Sequence, residues 1–226
     1  MATSKTPAHP KARFAPRKGP RQQRSRVTVD SIMQATLELV GKDGFHALTT
    51  TRIAARAGIS VGSLYEYFPN REAILLSLFE STSSAVANSA RRIVLDILDL
   101  PVEQGIPKSI EALLSVHGAN KLVLLDLVSE MPELKLAHHP VSYDNLVRSS
   151  VSTYLQHLGA DLSPKEMERR LFFIKQILMG CIRQYLQHPP TRTSRREFID
   201  DLSRILVPYI REVQVPLPSR GKARKS

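Results

Sequence analysis

Residues 49–71, TTTRIAARAGISVGSLYEYFPNR, constrain this chain more than any other stretch, because they read as a helix, a tight turn and a second helix. Ile53 and Ala57 stand four apart and share one helix face, and small Ala54 lets another helix cross closely. Gly58 falls where the first helix must stop, and glycine enters the left-handed conformation at little cost. Ile59 then enters the core, and the Ser60 hydroxyl is placed to cap the next helix. Leu64 and Phe68 turn inward from that helix, which leaves Val61, Gly62, Ser63, Tyr65 and Tyr67 facing outward.

Two tyrosines and several hydroxyls on one helix are poor core material and good DNA-contacting material. A helix-turn-helix sets its second helix in the major groove and braces the first on the backbone. Thr50, Ser63 and Tyr65 carry hydroxyls for phosphate oxygens, and Val61 and Tyr67 offer apolar and aromatic contact to base edges. Asn70 is placed to cap a further helix opened by Arg71, a cation for phosphate. Thr51, Arg52, Ser60 and Gly62 complete the candidate interface.

The run of threonines, IA..AGIS, G.LY.YF and the basic residue after Pro69-Asn70 resemble the DNA-binding domain of TetR-family regulators over about residues 22–82. The resemblance implies backbone clamping by Thr50 and Arg71, and base reading by Thr51, Val61 and Tyr67. It also implies that Tyr65 packs on the phosphodiester backbone. Arg71 stands where the family usually has lysine, with the charge kept.

The chain has 226 residues, 42% of them hydrophobic, which is ample for a packed core. Its formal charge of +11 is concentrated at the ends. Residues 1–26 hold eight Lys/Arg and residues 217–226 hold four, with no acid in either stretch, so the middle is close to neutral. Basic tails favour an anionic polymer or surface. Whether the N-terminal one touches DNA is open at this stage. No stretch approaches the ~20 apolar residues of a membrane span, and the N-terminus lacks the apolar segment of a secretory signal. A single cysteine, Cys181, has no internal disulfide partner, which fits a cytoplasmic protein.

The expected organisation is all-helical. A proline-punctuated basic tail, read as disordered, covers 1–21. A three-helix DNA-binding domain covers 22–82, a helical effector-binding and dimerisation domain covers 83–215, and a basic tail covers 216–226. The apolar stripe from Val29 predicts a first helix over Thr28–Val40, ended by Gly41 and Gly44. A helix from Arg71 to about Leu98 links the two domains, and 107–131 forms an apolar block that Gly118 divides. Another helix is expected over Ser142–Leu158.

Two capping boxes, Ser163 with Glu166 and Ser194 with Glu197, open the last two helices. Apolar residues follow in steps of four and three: Met167, Leu171, Ile174, Leu178, Cys181 and Tyr185, then Phe198, Leu202, Ile205 and Tyr209. That is the spacing of a seam between nearly aligned helices. The surrounding apolar surface exceeds what one helix pair buries, which predicts a four-helix homodimer interface through those nine residues from Leu171 onward. TetR-like proteins dimerise through their last two helices. Pro208 should kink the final one.

Polar residues that could line an effector pocket among the middle helices are His117, Asn120, Asp126, Tyr154 and His157, with an apolar or amphipathic effector expected. No phosphate loop, GxGxxG, HExxH or GxSxG is present, and His138 and His139 are adjacent, an awkward spacing for one metal. No enzyme activity, cofactor or metal is expected. The sequence thus predicts a dimeric, ligand-responsive regulator reading a palindromic operator, a repressor by preference. The alternative is a sequence-tolerant nucleic-acid binder acting through its tails.

Overall fold

The computed structural model describes residues 23–131, 141–159 and 161–212, which contain helices and no strand. The basic tails and the His138-His139 pair lie outside those residues. The described residues form two compact units, the first containing 23–83 and 121–131 and the second containing 84–120 and the remainder.

In the first unit, α1 spans Gln23–Asp43, longer at both ends than the apolar stripe indicates. Gly41 stays helical, and the chain turns at Gly44, whose φ of 76° falls in the region glycine tolerates best. A 3-10 turn, Phe45–Ala47, leads to α2, Thr50–Ala57, where the Thr49 hydroxyl accepts the Arg52 N–H at 3.2 Å. Gly58, at φ 70° and ψ 29°, closes α2. Ile59 N–H reaches back to the Ala54 carbonyl at 3.0 Å and Gly58 N–H to that of Ala55 at 3.3 Å, the paired bonds of a Schellman stop. Then come α3, Val61–Tyr67, and α4, Arg71–Ile97, which stays helical through the serine-rich stretch and contributes to both units.

Ile32, Ile53, Leu64, Phe68, Ile74 and Leu75 form the centre of this core, each at most 2% exposed. Val123, Leu127, Val128 and Met131 join it, although the sequence groups them with the apolar block beginning at residue 107. The block divides at Asn120 rather than at Gly118. The helix before it, α5, is Val102–Ala119 and belongs to the second unit, with Pro107 inside it. Beyond it the backbone is π-helical over Leu122–Asp126, with the Leu127 N–H bonded to the Leu122 carbonyl five residues back, and runs into the short α6, Leu127–Glu130.

The second unit packs the rest of α4 and α5 with α7 (Val141–His157), α8 (Pro164–Gln187) and α9 (Arg195–Arg211). Both capping boxes form: Ser163 and Ser194 each accept the N–H three residues on, and Glu166 and Glu197 return the contact. The Ser163 hydroxyl, then its N–H, holds Glu166 below the usual carboxylate range; for Glu197 the Ser194 N–H leads, followed by the hydroxyl. α9 packs mainly against α5 and only lightly against α8. Arg195 at its start donates to Ser115 Oγ at 2.6 Å, and Arg211 at its end pairs with Glu103, so α5 and α9 run antiparallel. α9 continues through Pro208 to Arg211. The buried Arg170 guanidinium of α8 donates to the Tyr209 carbonyl at 2.5 Å and lies 4.7 Å from the Tyr209 ring centre. No single helix among the described residues is long and apolar enough to cross a membrane.

Candidate nucleic-acid interface and interior cavity

The second helix of the motif, α3, has seven residues, too few to persist alone in water, so its neighbours must hold it. The Ser60 hydroxyl accepts the Ser63 N–H at 3.0 Å, an N-cap worth about 1 kcal/mol, and also lies 2.9 Å from the Ser63 hydroxyl. Leu64 is fully buried beneath it and Phe68 closes its C-terminal end. The Tyr65 hydroxyl lies 3.2 Å from Thr50 Oγ1 and ties α3 to the start of α2. Asn70 Oδ1 accepts the Ala73 N–H at 2.8 Å and caps α4.

The outward face differs in part from the one expected. Val61 and Tyr67 stand three residues either side of Leu64, so they border its inward side and are half-buried against the first core. Gly62, Tyr65 and Glu66 form the exposed ridge, with Thr51 and Ser60 exposed nearby and Ser63 half-buried. Glu66 adds a carboxylate that the motif alone does not single out, because it stands four residues after Gly62 and shares its face. A Cβ at Gly62 would meet nothing nearer than Ser60 Oγ at 3.8 Å. The fold therefore does not require glycine there, whereas a backbone approached closely by a ligand does benefit from it.

The cations of the motif are held by the protein. Arg52 pairs with Asp43 and donates to the Ala47 carbonyl at 2.7 Å, bracing the 3-10 turn. Arg56 pairs with Glu38. Arg71 pairs with Glu72 at 3.1 Å and donates to the Leu48 carbonyl at 3.4 Å, so it locks the start of α4 to the turn before α2.

The second unit holds a cavity of about 60 Å³, walled by Ile93 of α4, Leu113 of α5, Val147 and Tyr154 of α7, Leu178 of α8 and Ile210 of α9. Of the five sensor candidates only Tyr154 lines it. Its hydroxyl is buried without a hydrogen-bond partner, and burial, then the charge of Glu103, pushes the phenol above its usual value. The other four are placed elsewhere, each by a local contact. His117 is buried and its Nδ1–H donates to the Leu113 carbonyl at 2.9 Å. Asn120 donates to the Val116 carbonyl at 2.8 Å at the end of α5. Asp126 pairs with Lys121 in the first unit, and His157 faces Asp99 at the surface. Among the described residues no group of His, Cys, Asp and Glu is arranged to hold a metal ion.

The nine residues of the expected dimer seam also divide. Leu171, Ile174, Leu178 and Leu202 are buried in the chain's own core, because α8 and α9 turn these positions toward α5 and α7. Cys181, whose thiol burial pushes up, is half-buried. Tyr185 and Phe198 stack on each other at 4.3 Å. Ile205 is 56% exposed, and the residues exposed alongside it on α8 are Phe172 at 54% and Phe173 at 46%. Tyr209 meets Phe173 edge to face.

Residues 32–78 match the family described as bacterial regulatory proteins, tetR family. The chain is 30% identical over 145 residues, 59% of its length, to an uncharacterized HTH-type transcriptional regulator, YerO, of Bacillus subtilis, and spans about half (50%) of that curated relative. It superposes on the crystal structure of a protein from Mesorhizobium loti assigned to the TetR family with a TM-score of 0.63 at 18% identity, covering 85% of this chain and 97% of that one. A TM-score of 0.56 at 19% identity relates it to FadR of Thermus thermophilus, a TetR-family repressor solved with lauroyl-CoA, over 87% of this chain and 100% of that one. At these identities the structural likeness is one of fold, and the family is one of regulators rather than enzymes. Residues 32–78 thus carry the helix-turn-helix of the tetR family of bacterial regulatory proteins, and the all-helical architecture around them is the fold of its solved members.

Proposed function

We propose that the chain is an operator-binding transcriptional repressor that acts as a homodimer and leaves DNA when an apolar small molecule occupies its second unit. The reading rests on one observation above all: α3 is capped by Ser60, anchored by Leu64 and Phe68, and offers an exposed Gly62-Tyr65-Glu66 ridge. Tyr65 and Thr50 supply hydroxyls to phosphate, and Gly62 lets the backbone approach the groove. Glu66 is a carboxylate that can accept a cytosine amino group. Two such heads related by a two-fold axis read half-sites about one duplex turn apart.

Pairing uses the apolar surface that a single chain leaves uncovered, with Phe172, Phe173 and Ile205 as its anchors and Tyr185, Phe198 and Tyr209 beside them. The cavity bears no charged wall group, and it has room for about four waters. A larger apolar ligand must therefore displace its walls, and it favours whichever conformation has the larger cavity. The lauroyl-CoA bound by the Thermus thermophilus repressor makes acyl compounds the first effectors to test.

The test is selection of binding sites from genomic fragments, followed by footprinting, with Gly62→Val as the control variant. A recurring palindrome that Gly62→Val no longer protects, with the variant's thermal midpoint unchanged, is the expected result. Enrichment without a shared sequence would overturn the repressor reading in favour of a sequence-tolerant binder.

A further inference from the structure

The cavity in the second unit has one polar group that the protein itself does not satisfy. No charged side chain lines it among the described residues, and Ser109, Ser150 and Tyr154 are its hydroxyl-bearing wall residues. Ser109 donates to the Ile106 carbonyl at 2.8 Å, and Ser150 has an interaction of its own. Tyr154 is 4% exposed, and its hydroxyl has no hydrogen-bond partner. A buried hydroxyl left unpaired is destabilising, so folded interiors rarely keep one without a use.

The surroundings keep that hydroxyl available as a donor. A Cβ added at Gly105 of α5 would come within 3.3 Å of Tyr154 Oη and 3.5 Å of Ile97 Cβ, and Ile97 is itself a cavity wall. Glycine weakens a helix relative to alanine. Here its bare backbone makes room for the phenol end beside that wall. Burial, then the charge of Glu103, holds the phenol above its usual range, so the group keeps its proton at neutral pH. An anion is poorly served by the same walls. A carboxylate in the cavity would lose its hydration and meet no cation there.

We propose that Tyr154 determines the specificity of the cavity, and that the effector is a neutral, mainly aliphatic molecule whose one acceptor oxygen, such as a ketone, ester or amide carbonyl, takes the Tyr154 O–H. The inference rests on the effector reading above and narrows it, because acyl compounds then fit as uncharged carbonyls and not as free acids. The one hydrogen bond satisfies ligand and wall together. A pure hydrocarbon forgoes it and leaves the hydroxyl unpaired.

The experiment compares the full chain with full-length Tyr154→Phe, which removes only the oxygen. Each is titrated with hexane, butyl methyl ketone and hexanoate, and affinity is read from the ligand-dependent rise in thermal midpoint. The ketone should bind the variant roughly tenfold more weakly, the loss of about one hydrogen bond. Hexane should bind the variant at least as well, and hexanoate should raise the midpoint of neither chain. The ligand-free variant should melt no lower than the parent chain. Equal ketone affinity for both chains, or hexanoate bound as well as the ketone, would overturn the proposal and leave the effector reading intact. An equal loss for hexane, or a lower midpoint without ligand, would overturn it too, since the hydroxyl would then act on packing. A ketone bound through Tyr154 that leaves affinity for the selected DNA fragment unchanged would instead defeat the effector reading and keep the binding assignment. Binding of none of the three would defeat both.

Discussion

At the scale of single residues, Gly58 shows how a backbone constraint becomes a sequence signal. Its φ of 70° is open to glycine, and an L side chain there costs about 1–2 kcal/mol. Gly58→Ala should lower stability by that amount in urea unfolding, and Gly58→Asn should recover part of the loss, because Asn tolerates the left-handed region. Gly41 and Gly44 carry the same letter, yet only Gly44 turns the chain, and local sequence has no means to distinguish them. His117 shows the opposite limit. Its residue type admitted a ligand-binding role, whereas burial and the Leu113 carbonyl give it a structural one. Burial holds its pKa below the ordinary 6.5, only partly offset by that hydrogen bond. The unfolded chain therefore takes up the proton more readily, and stability should decline as pH falls below 6.5 toward the depressed value. Urea midpoints measured across that window should show the decline, and His117→Leu should flatten it.

At the scale of elements, the legible parts were those whose determinants lie within a few residues. The α2 stop, the Ser60 cap and both capping boxes are readable because each is a contact between residues three to five apart. Ser60→Ala should cost about 1 kcal/mol and fray α3. Affinity for the selected fragment should then drop more than affinity for a scrambled duplex, while circular dichroism changes little. The partner of α9 was not readable. Its apolar stripe announces a buried face, but whether that face meets α8 or α5 depends on packing across some ninety residues, where Arg195 and Arg211 grip α5. For the same reason the stripe of Leu171, Ile174, Leu178 and Leu202 resembled a seam between chains and is buried within one. Val61 and Tyr67 border the buried side of α3 because a helix face recurs at three residues as well as at four.

At the scale of the whole molecule, Phe173→Glu combined with Ile205→Glu should shift sedimentation toward the monomer while helicity is retained, since both side chains are already half-exposed in the single chain. An unchanged sedimentation coefficient would move the pairing surface elsewhere. The return of residues 121–131 to the first unit is not legible in the sequence, because LVLLDLV satisfies any apolar core equally well. The π-helical stretch at Leu122–Asp126 lies on that return. A π turn accommodates one residue more than the α turn it replaces. Removing a residue from this stretch lets an ordinary α turn form while Val128 and Met131 keep their facing. The same deletion in the middle of α4 would rotate everything beyond it by about 100°. Chain length is thus adjustable by one residue at this point, so related chains aligned through it should differ there by a single-residue gap.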